Sequence, residues 1–204
     1  MARVGILGGT FNPPHIGHLV CAQEAHAQLE LDVVVFMPVH TPPHKELDED
    51  PGAEHRVELC RLATAKDGRL AVSRLEVDRS GSSFTVDTLT ELHESSPEDR
   101  LIFIVGGDMA RSLPRWREPE RILELATLAA AERAGAGREE IAETLAEVRG
   151  GDRVVFFEMP RIDVSSSMVR ARVAVGRPVR YLVPDDVANY IGAQGLYGAA
   201  VGAR

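Results

Sequence analysis

The sequence predicts an α/β fold, with a doubly wound parallel sheet covered by helices on both faces. Three observations predict it. Short, continuous apolar runs recur along the 204 residues and alternate with segments of helical composition, the pattern of strands buried on both sides. Two of these runs end in glycine pairs, Gly8-Gly9 and Gly106-Gly107. Hydrophobic residues make up 44% of the chain but aromatic ones only 5%, so the core is aliphatic. No repeat or linker interrupts the pattern, and one domain over 1–204 is expected.

In chain order, "RVGIL" (3–7) reads as a buried strand and 19–29 as a helix. "VVVFM" (33–37) is a β-branched second strand ended by Pro38. The Pro-rich, acidic stretch 41–54, "TPPHKELDEDPGAE", reads as an exposed loop. A third strand is expected at 70–77. A helix follows at 84–93 with Ser82 or Ser83 as its N-cap. "LIFIV" (101–105) is a fourth strand closed by glycines, and 153–158 another. Residues 126–133, "ATLAAAER", have helical composition, although their place in the alternation asks for a strand. Helices are expected at 167–175 and 185–194.

Composition excludes several classes. No run of roughly twenty apolar residues is present, so no membrane span is expected. The N-terminus enters a strand pattern at once and does not read as a signal peptide. Cys21 and Cys60 are too few for a disulfide framework or a four-ligand metal site, which fits a reducing cytoplasm. A formal net charge of −8 argues against nucleic-acid binding. It requires that any positive groups facing an anionic ligand be concentrated locally.

The stretch "GGTFNPPHIGH" (8–18) joins the first strand to the first helix. Glycines let a backbone approach a ligand closely, and a helix N-terminus offers free N–H groups to an anion. His15 and His18 are three residues apart and project to one side if Gly17 lies in the first helical turn. They could then donate to phosphate oxygens. Taken alone, the pair could equally cap a turn. A zinc pair is weaker, because only His40 and His44, across a loop, lie at all near. The spacing matches neither G-x-G-x-x-G nor a Walker A loop.

Taken whole, "GGTFNPPHIGH" resembles the signature of the adenylyl- and cytidylyltransferase superfamily. Four further blocks, "PVHTPPHK" (38–45), "SFTVDTL" (83–89), "GGDMARSLPRW" (106–116) and "VSSSMVR" (164–170), are similar in kind and order to bacterial nicotinate mononucleotide adenylyltransferases. The resemblance implies a Rossmann-like nucleotidyltransferase fold. It also implies transfer of the adenylyl group of ATP to nicotinate mononucleotide, with Mg²⁺ delivered on ATP and no metal site of the protein's own. By the same resemblance His15, His18 and Arg170 are catalytic. Gly8, Gly9, Thr10, Phe11, Gly106, Asp108, Arg133, Ser166 and Ser167 join them in binding ATP. His44, Lys45, Phe84, Thr85 and Trp116 bind the mononucleotide. Asn12 stands where the family more often has Asp.

Several blocks also read on their own. Ser165 to Ser167 precede a helix, where hydroxyls and free N–H groups bind anions, with Arg170 one turn on. Asp108 could meet a ribose or cap the next helix. Trp116 could stack on a ring or simply pack. Lys45 could reach a phosphate or stay solvated. No arginine or lysine adjoins Thr85 in sequence, so backbone donors are expected to read a carboxylate there. The rival readings are phosphopantetheine adenylyltransferase, an NAD-dependent oxidoreductase and a non-catalytic nucleotide-binding module. The second strand ends in Met37-Pro38 rather than the acidic residue an oxidoreductase needs. A homo-oligomer is compatible with the sequence.

Overall fold

The computed structural model describes residues 1–42, 49–132 and 137–198. In order these form β1 (Arg3–Gly9), α1 (Ile16–Gln28), β2 (Val33–Pro38), α2 (Ala53–Thr64), β3 (Leu70–Val72), α3 (Leu75–Arg79) and α4 (Thr85–Ser95). There follow β4 (Arg100–Gly106), α5 (Gly107–Ser112), α6 (Pro119–Leu125), β5 (Ala126–Glu132), α7 (Arg138–Leu145), β6 (Val155–Glu158), α8 (Ser166–Ala174) and α9 (Asp185–Gln194).

The six strands form one sheet in the order β3-β2-β1-β4-β5-β6, and every neighbouring pair is parallel. The doubly wound expectation is met. From β1 the chain winds outward through β2 and β3, then returns to β4 and winds the other way. The β1–β4 boundary is therefore the switch point, where open α/β sheets bind ligands at the carboxyl ends of their strands. Gly9 and Gly106 end those two strands.

Period-two alternation sends neighbouring residues to opposite faces. Ile6, Phe103 and Val105 pack with Leu89, Leu113 and Ile122 on one face. Leu7, Ile102 and Ile104 pack with Phe36, Ala22 and Ala25 on the other. A third apolar cluster joins Leu59 of α2 to Val169, Val187 and Ile191 of α8 and α9. No helix among the described residues is long and apolar enough to cross a membrane.

Four elements differ from expectation. Residues 126–132 form a strand buried at every position but one, hydrogen-bonded to β4 and β6. Two ladders outweigh helix preferences that differ by at most about 0.7 kcal/mol per residue, and the alanines are small enough for a strand covered on both faces. The third strand stops at Val72, after Ser73 N–H reaches the Phe36 carbonyl at 3.0 Å. The Ser73 hydroxyl then accepts from Leu75 N–H (3.2 Å), and Arg74 pairs with Asp78 one turn on, so 75–79 is helical. The strand expected at 153–158 begins at Val155, behind a 3₁₀ turn. Neither Ser82 nor Ser83 caps α4: Phe84 is the N-cap residue, with no side-chain cap, and the Ser83 hydroxyl accepts from His40 N–H (3.0 Å).

Candidate active site

A cavity of about 900 Å³ lies over the carboxyl ends of β1 and β4. Its walls hold Gly8, Gly9, Thr10, His15 and His18 together with Phe84, Thr85 and Trp116, and Gly106 and Asp108 are also on the wall. Widely separated sequence blocks therefore meet in one space.

The glycine pair does not make the turn. Gly8 and Gly9 are the last residues of β1, paired with Met37 and Pro38. The turn falls at Phe11, in the left-handed region at φ 50°. Gly9 supplies room, since a Cβ there would come within 3.0 Å of the Phe11 ring. Phe11 is buried and lies outside the cavity lining. Its ring braces His18 in an edge contact at 5.1 Å and packs on Phe36 at 5.2 Å. The ring is thus a support for the His18 imidazole.

The histidines have a defined geometry. His15 is the N-cap of α1. Its Nδ1 accepts from Gly17 N–H (3.2 Å), and His18 Nδ1 accepts from His15 N–H (3.1 Å). Together they form a reciprocal capping box. Gly17 is needed here, because a Cβ would come within 3.0 Å of the His15 ring. An Nδ1 that accepts leaves the proton of a neutral imidazole on Nε2. Both rings, 3.8 Å apart, thus carry an Nε2–H donor, and both line the cavity.

Both imidazoles resist protonation. Burial pushes His15 down from 6.5 to about 4. Burial, and then the neighbouring His15, push His18 down to about 3. The unfolded chain therefore binds more protons than the folded one as pH drops below 6.5. The contribution of the neutral rings is fully present above that value and is lost as pH falls toward 4 and 3, at most about 8 kcal/mol in all. Urea midpoints measured across that acid range should fall less steeply in His15→Gln/His18→Gln than in the wild type. Equal slopes would contradict the neutral-ring assignment.

The start of α8 packs on the same turn. The Ser165 hydroxyl caps the helix by accepting from Met168 N–H (3.2 Å) and lies 3.0 Å from that of Ser167. Ser166 donates to the Pro13 carbonyl (2.8 Å). Arg170 donates to the Asn12 carbonyl (2.9 Å) and pairs with Glu49 (3.0 Å). Of this group only Ser165 lines the cavity. Asn12 is buried and accepts from the Tyr197 hydroxyl (2.7 Å), so the amide fills a structural place.

At the other end, α4 opens without a side-chain cap, leaving first-turn N–H groups free of side-chain acceptors. Trp116 donates its indole N–H to Ser112 (2.8 Å) and meets Phe103 edge-on at 6.0 Å. Asp108 is exposed and pairs with Arg111. His44, Lys45 and Arg133 lie outside the described residues.

Sequence reasoning missed three residues. Arg117 lines the cavity with its guanidinium 5.0 Å from the Phe84 ring centroid, so a cation does adjoin the start of α4; only its place after Trp116 hinted at this. Glu76 lines the cavity too, in a stretch read as strand. Arg56 is fully buried. It donates to the Thr10, Val39 and His40 carbonyls (3.2, 2.5 and 2.9 Å) and to Asp50 (2.9 Å). It thereby ties the β1 turn to both ends of the segment after β2. Among the described residues no group of three or more His, Cys, Asp or Glu could hold a metal ion.

Residues 6–172 match the cytidylyltransferase-like family. Relatives named "Probable nicotinate-nucleotide adenylyltransferase" match the chain over nearly its whole length. That of Halalkalibacterium halodurans is 40% identical, covering 97% of this chain and 92% of its own. That of Roseiflexus sp. is 45% identical, covering 96% and 98%. Among solved structures, the Plasmodium falciparum nicotinic acid mononucleotide adenylyltransferase complexed with NaAD shares the fold. It does so at TM-score 0.78 and 18% identity, over 97% of this chain and 98% of its own. With its histidine pair at the switch point and relatives alike over nearly their whole lengths, the chain belongs to the nicotinate-nucleotide adenylyltransferase family, within the cytidylyltransferase-like proteins.

Proposed function

We propose that the chain transfers the adenylyl group of ATP to nicotinate mononucleotide, giving nicotinate adenine dinucleotide and pyrophosphate, a step of NAD biosynthesis. The observation that carries this is one cavity whose lining holds two Nε2–H imidazole edges together with an uncapped helix start and Trp116. The imidazole edges suit phosphates, and the helix start with Trp116 suits a carboxylated aromatic ring. The chain acts as one domain, in the cytoplasm.

A phosphate oxygen of the mononucleotide attacks the α-phosphorus. The bond to the β-phosphate oxygen breaks, and its electron pair leaves on pyrophosphate. The nucleophile is already an anion, so no general base is needed, and catalysis is positioning and charge stabilisation. His15 and His18 donate to the oxygens on which charge develops. Gly8, Gly9 and Thr10 form the wall along ATP, and Gly106 and Asp108 take its ribose. Arg133, Ser166, Ser167 and Arg170 hold its phosphates and adenine side, Arg170 exchanging Glu49 for a phosphate. Phe84, Thr85 and Trp116 take the pyridine, with His44 and Lys45 on the substrate phosphate.

The donor is the magnesium complex of ATP, because charge beyond the reach of two imidazoles and the arginines must be neutralised and the described residues offer no cage. Excess chelator should abolish turnover; full activity in chelator contradicts this.

Substrate choice follows from the donors. Free N–H groups and Arg117 can only donate. A carboxylate accepts at both oxygens, whereas an amide turns an NH₂ toward a donor. Each unpaired group costs roughly 1–3 kcal/mol, or about one to two powers of ten in preference for the acid. Thr85→Ala keeps most of that preference and Arg117→Ala loses part. Equal kcat/KM for the acid and amide mononucleotides in the wild type would remove the helix-start account. The basic test is incubation with ATP, Mg²⁺ and nicotinate mononucleotide, with detection of pyrophosphate and the dinucleotide. Absence of either overturns the reading.

A further inference from the structure

Two arginines line the cavity among the described residues, in a chain whose formal net charge is −8. Arg117 adjoins Phe84 and serves substrate choice. Arg111 has no part in adenylyl transfer as derived above. It belongs to α5, which starts at Gly107, directly after β4 ends. The same helix carries Asp108, whose side chain is 93% accessible and which lies on the same cavity wall. Arg111 donates through Nη2 to Asp108 Oδ1, three residues back on one helix face. Its Nη1 lies 3.5 Å from Glu140 of α7. A Cβ on Gly137, the N-cap residue of α7, would come within 3.2 Å of that same Nη1. The guanidinium, 30% accessible, is thus held between two helices and against one oxygen of a carboxylate that is otherwise open. Among the described residues no other group bonds the Asp108 side chain.

We propose that Arg111 is a positioning residue for ATP. By holding Oδ1 of Asp108 it orients Oδ2 to accept from a ribose hydroxyl, and its charge offsets that of the carboxylate beside a polyanionic nucleotide. This rests on the proposed function, in which Asp108 takes the ribose. An aspartate as exposed as Asp108 would otherwise sample several rotamers, and ordering it when ribose binds would weaken binding. The pair with Arg111 imposes that order beforehand. A guanidinium suits the task because its fork donates in fixed directions and meets two carboxylates at once, here those of Asp108 and Glu140. Without it, a bare carboxylate would face ATP with like charge.

The test compares kcat/KM for ATP with the values for 2′-deoxy-ATP and 3′-deoxy-ATP, at fixed nicotinate mononucleotide. The three share base, phosphates and magnesium, so effects common to them divide out of each ratio. In the wild type, ATP should be preferred over at least one deoxynucleotide by about tenfold or more, the usual weight of a hydrogen bond to a charged acceptor. Arg111→Met should cut that preference about three- to tenfold, the cost of immobilising one side chain on binding. Exposed ion pairs add little to folding, so the variant should fold. If it does not, Arg111→Gln also lacks the charge and carries the same expectation. In Asp108→Ala the preference should be largely lost, and adding Arg111→Met should lower it no further, because the arginine acts through the carboxylate.

A preference kept intact when Arg111 is replaced, or a further fall in the double variant, overturns the proposal. A wild type that prefers ATP over neither deoxynucleotide overturns it as well. Absence of turnover with all three nucleotides would remove the proposed function and this role with it. Turnover with a ribose preference that Arg111 does not alter removes Arg111 alone.

Discussion

His18→Ala should lower kcat by about 100- to 1000-fold, the usual loss when one preorganised donor to a developing charge is removed. Folding should suffer far less. The substitution deletes the acceptor for His15 N–H and the edge contact with Phe11, and a lost cap costs about 1 kcal/mol. The two effects separate on measurement: kcat from pyrophosphate release, stability from urea unfolding. His18→Asn is the informative companion, since a short amide can restore the cap without placing a donor where Nε2 stood. It should fold like the wild type and remain slow. Near-normal kcat in either variant would leave His18 as a capping residue only.

Arg56→Ala should destabilise the fold by about 3–5 kcal/mol, the typical cost of breaking a buried charge network by removing one partner. Asp50 loses its cation, and the carbonyls of Thr10, Val39 and His40 lose their shared donor. Because those carbonyls belong to the β1 turn and to the segment just after β2, the damage should also reach KM for both substrates. Arg56→Lys keeps the charge but not the fork, and should fall between. A urea midpoint close to the wild type in Arg56→Ala would show that the guanidinium is dispensable.

These two residues mark the limits of what could be read from the sequence. His15 and His18 were legible because the glycines, prolines and histidines of the turn lie within eleven consecutive residues, and the capping box is built locally. The strands at 3–7, 33–37 and 101–105 were legible because β-branched and aliphatic residues run together. Arg56 was not legible. Its partners are backbone carbonyls from segments far apart in sequence, which leave no mark on residue type. Arg117 likewise gains its meaning from Phe84, more than thirty residues earlier. Residues 126–132 were ambiguous because alanine favours helix, and only two neighbouring strands make them β. The Pro-rich, acidic approach 41–54 reads as loop and hides where α2 begins, so its place in the third apolar cluster was not legible. Arg170 was legible only as an arginine one turn after Ser165 to Ser167; its bond to the Asn12 carbonyl and its pairing with Glu49 join segments more than a hundred residues apart, which composition does not encode.

The central claim is that the α-phosphorus of ATP moves to the phosphate of nicotinate mononucleotide. Turnover with ATP labelled separately at the α- and γ-phosphorus tests it most directly. The account predicts α-label in the dinucleotide and γ-label in pyrophosphate. Label from the γ-position appearing on the mononucleotide, or no transfer of the α-label at all, would contradict it.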